Sequence, residues 1–484
     1  MKKALGVLLL LQSLSSFSVL AQTEVTNIIN RVKEAYGGDE LVKVKSLQLE
    51  DHYKSFRYGQ SHSPNSIDMV NNKSLTTVDL INKRKDFKWV RGDASSFATQ
   101  HQLFDGKKGY RIEHDEKTIS VNNSMSMSNV DRSHVLFLDT RLAMLVIEYS
   151  ASVGVVGRNK VKGRLADEIT FEPEGYPKLT LYVDVANGRI VKMKRPSWRP
   201  EFAFDYYYSD FTKSEGVGYA KSFYVTRGGQ PFYVSTQRKL SINKSYETAF
   251  ATPQNYEAAA AAFDFKDMSV TPLSENLYLV GKNWGFSIFY EAEDYLVASG
   301  TYNDLTERLS ALHEHLGRQK PLKYQIITHH HNDHLGGVNE VVALGASFIT
   351  LSHHVQSIKK LLDETVSDER FVLADDLAEI EDGNIQLINF SNDHAENNLL
   401  SYFAKDKVIF TADLFLSRLK SGSPSGYESL KDFATMLDQR NIQVQRFAAA
   451  HSGRVLTDAD LTYAINHIQE TTCPSGWTIC PTSN

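Results

Sequence analysis

Apolar and polar residues alternate along this chain in two different rhythms, and the rhythm changes near residue 265. Up to about Phe250 the dominant period is two. Ser46-Leu47-Gln48-Leu49-Glu50 and Leu179-Thr180-Leu181-Tyr182-Val183 each put apolar side chains on one face and polar ones on the other, the pattern of half-buried strands. The second run continues into Asp184-Val185-Ala186-Asn187-Gly188-Arg189-Ile190-Val191, where Asn187-Gly188 predicts a hairpin turn. One amphipathic helix precedes these strands, with Ile28, Ile29, Val32 and Ala35 on its apolar side and Gly37-Gly38 to end it. The expectation is a large antiparallel sheet with this helix packed on it. Pro253 to Ala262, with its Tyr256-Glu257-Ala258-Ala259-Ala260-Ala261 run, reads as a connecting helix or linker.

From Asn276 onward strands and helices alternate, as in α/β folds. Leu277–Val280, Ser287–Tyr290 and Tyr295–Ala298 read as strands. Asp304 to Leu316 reads as a helix, with Leu305, Leu309, Leu312 and Leu316 at helical spacing and Gly317 as the stop. Tyr324-Gln325-Ile326-Ile327 is then a short buried strand.

That strand delivers Thr328-His329-His330-His331-Asn332-Asp333-His334-Leu335-Gly336-Gly337. Residues two apart on extended backbone point the same way, so His329 and His331 can grip one metal ion. Asp333 and His334, on the following turn, can face a second. Neutral imidazole and carboxylate are the donors that suit a catalytic Zn²⁺ site, because they leave room for a water. Three more polar residues close apolar strands: His394 after Ile385–Phe390, Asp413 after Val408-Ile409-Phe410, and His451 after Phe447-Ala448-Ala449-Ala450. The ends of buried strands are where α/β folds place their chemistry. His52, His62, His101, His114 and His134 are scattered singly and read as surface or satisfied core residues.

Composition narrows the class. Met1-Lys2-Lys3 leads into the apolar run Ala4–Leu11, and Ser18-Val19-Leu20-Ala21 suits cleavage after Ala21, so residues 1–21 read as a signal peptide. The mature protein is expected in the periplasm or secreted. No Cys stands at the cleavage point to carry a lipid, and no later segment approaches the ~20 apolar residues needed to span a bilayer. A formal net charge of −5, without long basic runs, argues against nucleic acid as a partner. At 484 residues the chain is too long for one core. The only cysteines, Cys473 and Cys480, are expected to form a local disulfide in an oxidising compartment. The expected layout is therefore signal peptide 1–21, a β-rich accessory domain 22–265, a catalytic domain 266–465 and a tail 466–484.

Residues 276 to about 455 resemble the metallo-β-lactamase-fold hydrolases, whose metal-binding motifs fall here in the same order. The resemblance implies a four-layer αβ/βα sandwich. It implies His329, His331 and His394 as ligands of a first metal, Asp333, His334 and His451 as ligands of a second, and Asp413 as the carboxylate bridging them. It further implies two Zn²⁺ per chain, with iron or manganese as alternatives, a metal-bridging hydroxide as nucleophile, and Asp333 handling the proton. The family's β-lactamases usually carry Cys or Ser at the position of Asp413, whereas its thioesterases, lactonases and phosphodiesterases carry Asp. Three departures stand out: Ala298-Ser299-Gly300 replaces the family's Asp-x-Gly, Ala412-Asp413 replaces Gly-Asp, and Ala449-Ala450-His451 replaces Pro-Gly-His.

The first half resembles the lipoprotein-localisation-like half-barrels, through Ala35-Tyr36-Gly37-Gly38-Asp39-Glu40-Leu41, Phe104-Asp105-Gly106-Lys107, Tyr182-Val183-Asp184 and Tyr208-Ser209-Asp210-Phe211. That resemblance implies a curved sheet whose concave face can hold an acyl chain. The expected whole is an α+β two-domain protein: an exported zinc hydrolase acting on an ester, thioester, lactone or related bond of a small, apolar or acylated substrate. Two alternatives stand beside it, a lipid- or lipopeptide-binding protein with a zinc-stapled, non-catalytic second domain, and a β-lactamase. Asn283-Trp284-Gly285 and Ser417–Tyr427 are expected to line the substrate pocket, with Arg418 and Lys420 as candidate clamps for a substrate carboxylate.

Overall fold

The computed structural model describes residues 22–94, 96–197, 203–262 and 266–481; the expected signal peptide, residues 1–21, lies outside them. The chain forms two compact units. The first contains the described residues up to Phe56, then Met69–Ala259 and the tail from Thr471. The second contains Arg57–Asp68 and Ala260–Glu470. The division thus falls at Ala259 rather than 265, the tail counts with the first unit from Thr471, and a short segment between two strands of the first unit counts with the second.

In the first unit, fourteen strands form one sheet. Two antiparallel meanders meet where Ser46–Phe56 pairs with Gln230–Ile242. The alternation read from Ser46 onward is the burial pattern observed: Leu47, Leu49, Asp51 and Tyr53 face inward and their neighbours do not. Residues 22–35 are helical, and Val25, Ile28 and Val32 pack with Leu142, Leu145 and Val146 of the helix Asp139–Glu148 against sheet residues such as Leu181, Val183 and Val225. This face of the sheet is therefore occupied by the unit's own helices.

The Ala-rich run after Pro253 is not helical. Glu257–Ala258 is extended and pairs in parallel with Thr118–Val121 at the sheet's edge. Alanine's helix preference, a few tenths of a kcal/mol per residue over most others, is outweighed by edge hydrogen bonds such as Glu257 N–H to Lys117 O at 2.9 Å. Cys473 and Cys480 are disulfide-bonded, and Ile479 and Cys480 pack on Val90 of the same unit.

In the second unit, a seven-stranded and a six-stranded sheet face each other. Leu279, Ile288 and Ile326 from one meet Leu387, Leu399 and Phe410 from the other in a shared core. Helices Leu305–Leu316, Val338–Ala343 and Val355–Leu361 cover the outer side of the first sheet through Leu309, Leu312, Val341 and Ile358. Glu428–Gln439 and Asp458–Asn466 cover the second through Leu430, Phe433 and Leu461. Neighbours such as Leu279 and Val280 fall in different layers because a strand buried on both faces alternates between them. The order of layers is αβ/βα. Among the described residues no helix is long and apolar enough to cross a membrane.

Candidate metal centre

Strand Leu322–Ile326 ends just before Thr328, and the chain then runs through the histidine-rich turn. His329 and His331 turn toward each other across a bend at His330, His329 Nε2 lying 3.2 Å from His331 Nδ1. The turn tightens at Asp333, with His334 N–H and Leu335 N–H both donating to His331 O. Gly336 and Gly337 follow because the chain passes against the Tyr302–Asn303 loop. A Cβ on Gly337 would lie 2.7 Å from Tyr302 O, and one on Gly336 would lie 2.5 Å from Asn303 Oδ1. That loop is fixed from beneath by buried Arg308, whose guanidinium donates to Asn303 O at 2.6 Å and Tyr302 O at 2.5 Å. The ring of Tyr302 stands edge-on to His451.

The seven candidate ligands converge. His329 Nε2 lies 3.2 Å from His331 Nδ1 and 3.2 Å from His394 Nε2. His334 Nε2 and His451 Nε2 lie 3.8 and 3.4 Å from Asp333 Oδ2. These residues form two triads of donor atoms, His329–His331–His394 and Asp333–His334–His451, joined by a third group, His329–His334–Asp413, each with its donors within 4.8 Å of one another. Between them stands Asp413, its Oδ2 3.1 Å from His394 and its Oδ1 2.9 Å from His334 and 3.2 Å from His451.

The donor set fits metal ions. Donors around a tetrahedral zinc with bonds near 2.0–2.1 Å are spaced by about 3.3 Å, close to the separations here. His334 Nε2 and Asp413 Oδ1 are buried and 2.9 Å apart, yet neither makes a hydrogen bond among the described residues. Thr328 Oγ1 lies 3.2 Å from His329 Nδ1 and 3.4 Å from His334 Nδ1, fixing both rings through the nitrogen away from the triads.

Electrostatics act on the donors in opposite directions. Burial, then repulsion from neighbouring imidazoles, lowers His329 well below the ordinary range and His331 to about 3, so both are neutral, as ligands must be. Burial would lower His451 too, but the carboxylates of Asp333 and Asp413, 3.4 and 3.2 Å from its Nε2, outweigh it and raise the group to about 10. Burial opposes ionisation of Asp413, and the surrounding imidazoles, His334 first, overcome it and hold the carboxyl well below its usual range.

Residues 276–347 match the description "Metallo-beta-lactamase superfamily". That match lies wholly within the second unit. The "Beta-lactamase-like protein 2 homolog" of Caenorhabditis elegans is 26% identical over 179 residues, 36% of this chain and 55% of that protein, so the match spans about half of the relative. Among solved structures, DIM-1 metallo-beta-lactamase is 16% identical with a TM-score of 0.34, over 42% of this chain and 97% of that one. A metallo-beta-lactamase from Pontibacter korlensis is 19% identical with a TM-score of 0.32, over 41% and 98%.

Where the superfamily's Asp-x-Gly gives way to Ala298-Ser299-Gly300, this unit buries Ala298 in a strand and ties Ser299 Oγ to Ser401 Oγ at 2.9 Å. Ala412 adopts φ +50, the left-handed region where the family's glycine would sit without cost. Sequence reasoning passed over one group of residues altogether. Gln60 Nε2 donates to Asp333 Oδ1 at 2.6 Å, and Ser61 O lies 2.8 Å from His330 Nε2 and 3.0 Å from His331 Nε2. His62, read as an isolated surface or core residue, lies with its Nε2 3.0 Å from Asn392 O, beside the His394 loop. A polar Gly-Gln-Ser-His stretch between two strands carries no periodicity that would mark it.

Proposed function

We propose that the metallo-beta-lactamase unit is a hydrolase using two metal ions, zinc in the first instance, on an ester, thioester, lactone or related bond, in a protein exported from the cytoplasm. His329, His331 and His394 would hold one ion, Asp333, His334 and His451 the other, and Asp413 would stand between. Bound there, the ions would supply Lewis acidity at the substrate's electrophilic centre and lower the pKa of a nearby water. Asp333 has one oxygen fixed by Gln60 and the other turned toward His334 and His451. It is the carboxylate placed to orient the attacking water and accept its proton. Because the His451 and Gln60 hydrogen bonds and the charge of His334 outweigh burial, its pKa lies well below the usual range, which suits passing that proton on rather than keeping it.

The observation that carries this reading is Asp413. One carboxylate reaches imidazoles of both triads, which is what a shared two-metal site requires and a single structural metal does not. A carboxylate there, instead of Cys or Ser, directs the reading away from β-lactams. The test is metal content of the mature protein combined with turnover of ester, thioester, lactone, phosphodiester and nitrocefin probes. Two metals per chain, and turnover of a non-lactam abolished in His331→Ala, are expected. Protein that takes up no metal, or activity unchanged in that variant, would overturn the proposal; nitrocefin as the preferred substrate would make it a β-lactamase.

A further inference from the structure

The segment Arg57–Asp68 is inserted in sequence between two strands of the first unit but counts with the metallo-beta-lactamase unit. It is a closed loop of the Ω type, its ends joined by Arg57 N–H to Asp68 O at 3.0 Å. Its interior is tied by Ser61 Oγ to Arg57 O at 2.7 Å, Arg57 Nε to Gln60 O at 3.0 Å, and His62 N–H to Asp68 Oδ2 at 2.6 Å. Such a loop presents its outer groups in fixed positions. They go to the metal centre from two sides: Gln60 to Asp333, Ser61 O to His330 and His331, Gly59 O to Asn332 N–H at 2.9 Å, and His62 O to Glu396 N–H at 2.9 Å.

We infer that this loop is a positioning element for the metal ligands, with Gln60 and the Ser61 carbonyl as its working groups. The inference rests on reading the two triads as metal ligands. His331 offers Nδ1 to its triad, 3.2 Å from His329 Nε2, which obliges Nε2 to carry the proton. Ser61 O accepts that proton, so the carbonyl selects the ligating tautomer. Asp333 turns Oδ2 to its triad, and Gln60 occupies Oδ1, so the amide sets which oxygen is free. Gln60 thus supports a ligand in a unit whose superfamily support at Ala298 is missing. Gly59 makes the approach possible: its φ is +63, and a Cβ there would fall 2.1 Å from Asn332 Nδ2.

The test uses the full-length protein with Zn²⁺ affinity from chelator competition and the visible spectrum of the Co²⁺-substituted form. Gln60→Met keeps the side chain's length without its donor; Gly59→Val displaces the loop. Each is expected to weaken binding of at least one metal by about tenfold to a hundredfold and to alter the Co²⁺ spectrum. In a Gly59→Ala background, Asn332→Ala should recover part of the loss, because it removes the colliding atoms. Circular dichroism confirms folding, and if Gly59→Val does not fold, Gln60→Met decides. Wild-type protein binding two metals with Gln60→Met within twofold of it and spectrally unchanged would overturn this inference alone. Wild-type protein binding none would overturn the proposed function with it.

Discussion

Arg418 holds its guanidinium 4.2 Å above the indole of Trp284, and Trp284 is anchored at the candidate metal centre because His451 Nδ1 pairs with its carbonyl oxygen. The indole is half exposed, at 51%. Arg454 steadies the opposite loop through Leu419 O at 3.1 Å and Gly422 O at 2.7 Å. An aromatic face capped by a cation, beside the proposed reacting centre, suits recognition of a substrate's apolar or acyl portion. Trp284→Ala leaves the backbone carbonyl and so should leave metal content unchanged. It is expected to raise KM by several-fold to about thirtyfold, the range for apolar area lost from one aromatic side chain partly buried by substrate, with kcat changed far less. Steady-state kinetics on the best substrate decide it, and a fall in kcat at constant KM would contradict the assignment.

Metal removal should cost stability as well as activity. With His334 Nε2 and Asp413 Oδ1 buried and without hydrogen bonds, the second unit carries polar atoms that a cation would satisfy. A ligand that binds only the folded state stabilises by about 4 kcal/mol at a thousandfold excess over its Kd. Chelation is therefore expected to lower the melting temperature of this unit by several degrees, and Zn²⁺ to restore it. Melting that is indifferent to chelator and zinc would count against the centre itself.

The pieces legible in the sequence were those governed by local period. His329 and His331 could be paired from their spacing of two just past a strand, and Leu305 to Leu316 could be read as a helix from its leucine spacing. His394, Asp413 and His451 were legible as a set only through the order of motifs, since each alone is an ordinary end to a strand. Gln60 was not legible at all: its partner Asp333 lies 273 positions away, and no local pattern encodes a contact closed by the fold. Of the two readings of Pro253–Ala262, helix or linker, the helix fails because alanine's intrinsic preference competes with the sheet edge that takes up Glu257–Ala258.

A buried charge cluster sets a stability prediction for the first unit. Asp51 Oδ2 lies 3.4 Å from Arg238 Nε and 3.5 Å from His134 Nδ1, all three residues being buried. Arg238 also stacks over Phe223 at 4.3 Å. Arg238→Met removes the cation and strands a carboxylate in the core, at a cost of about 3–5 kcal/mol. The double variant Asp51→Leu with Arg238→Met should recover most of that loss. Urea unfolding followed by a probe in this unit checks the pair, and additive losses in the double variant would refute the coupling.

A relay on the sheet of the same unit should make its stability depend on pH. Asp86 Oδ1 lies 2.6 Å from His101 Nε2, His101 Nδ1 lies 2.9 Å from His114 Nε2, and His114 Nδ1 lies 2.9 Å from Tyr256 Oη. Trp477 stands edge-on to both imidazoles. Burial first, then the charge on His101, lowers His114 from 6.5 to about 4. Above pH ~6.5 this histidine is neutral whether the chain is folded or not, and it contributes no pH dependence. Between 6.5 and about 4 the unfolded chain takes up a proton that the folded one refuses, so stability falls as pH falls. Below that window both states are protonated and the loss is complete. His114 is only partly buried, so solvent screening reduces the effect to about 1–2 kcal/mol. His114→Gln keeps polar atoms for His101 and Tyr256 without titrating. Between pH 7.5 and 4.5 it should lose less stability than the wild type by that amount, measured as the shift in urea midpoint, and equal losses in both proteins would remove His114 from the account.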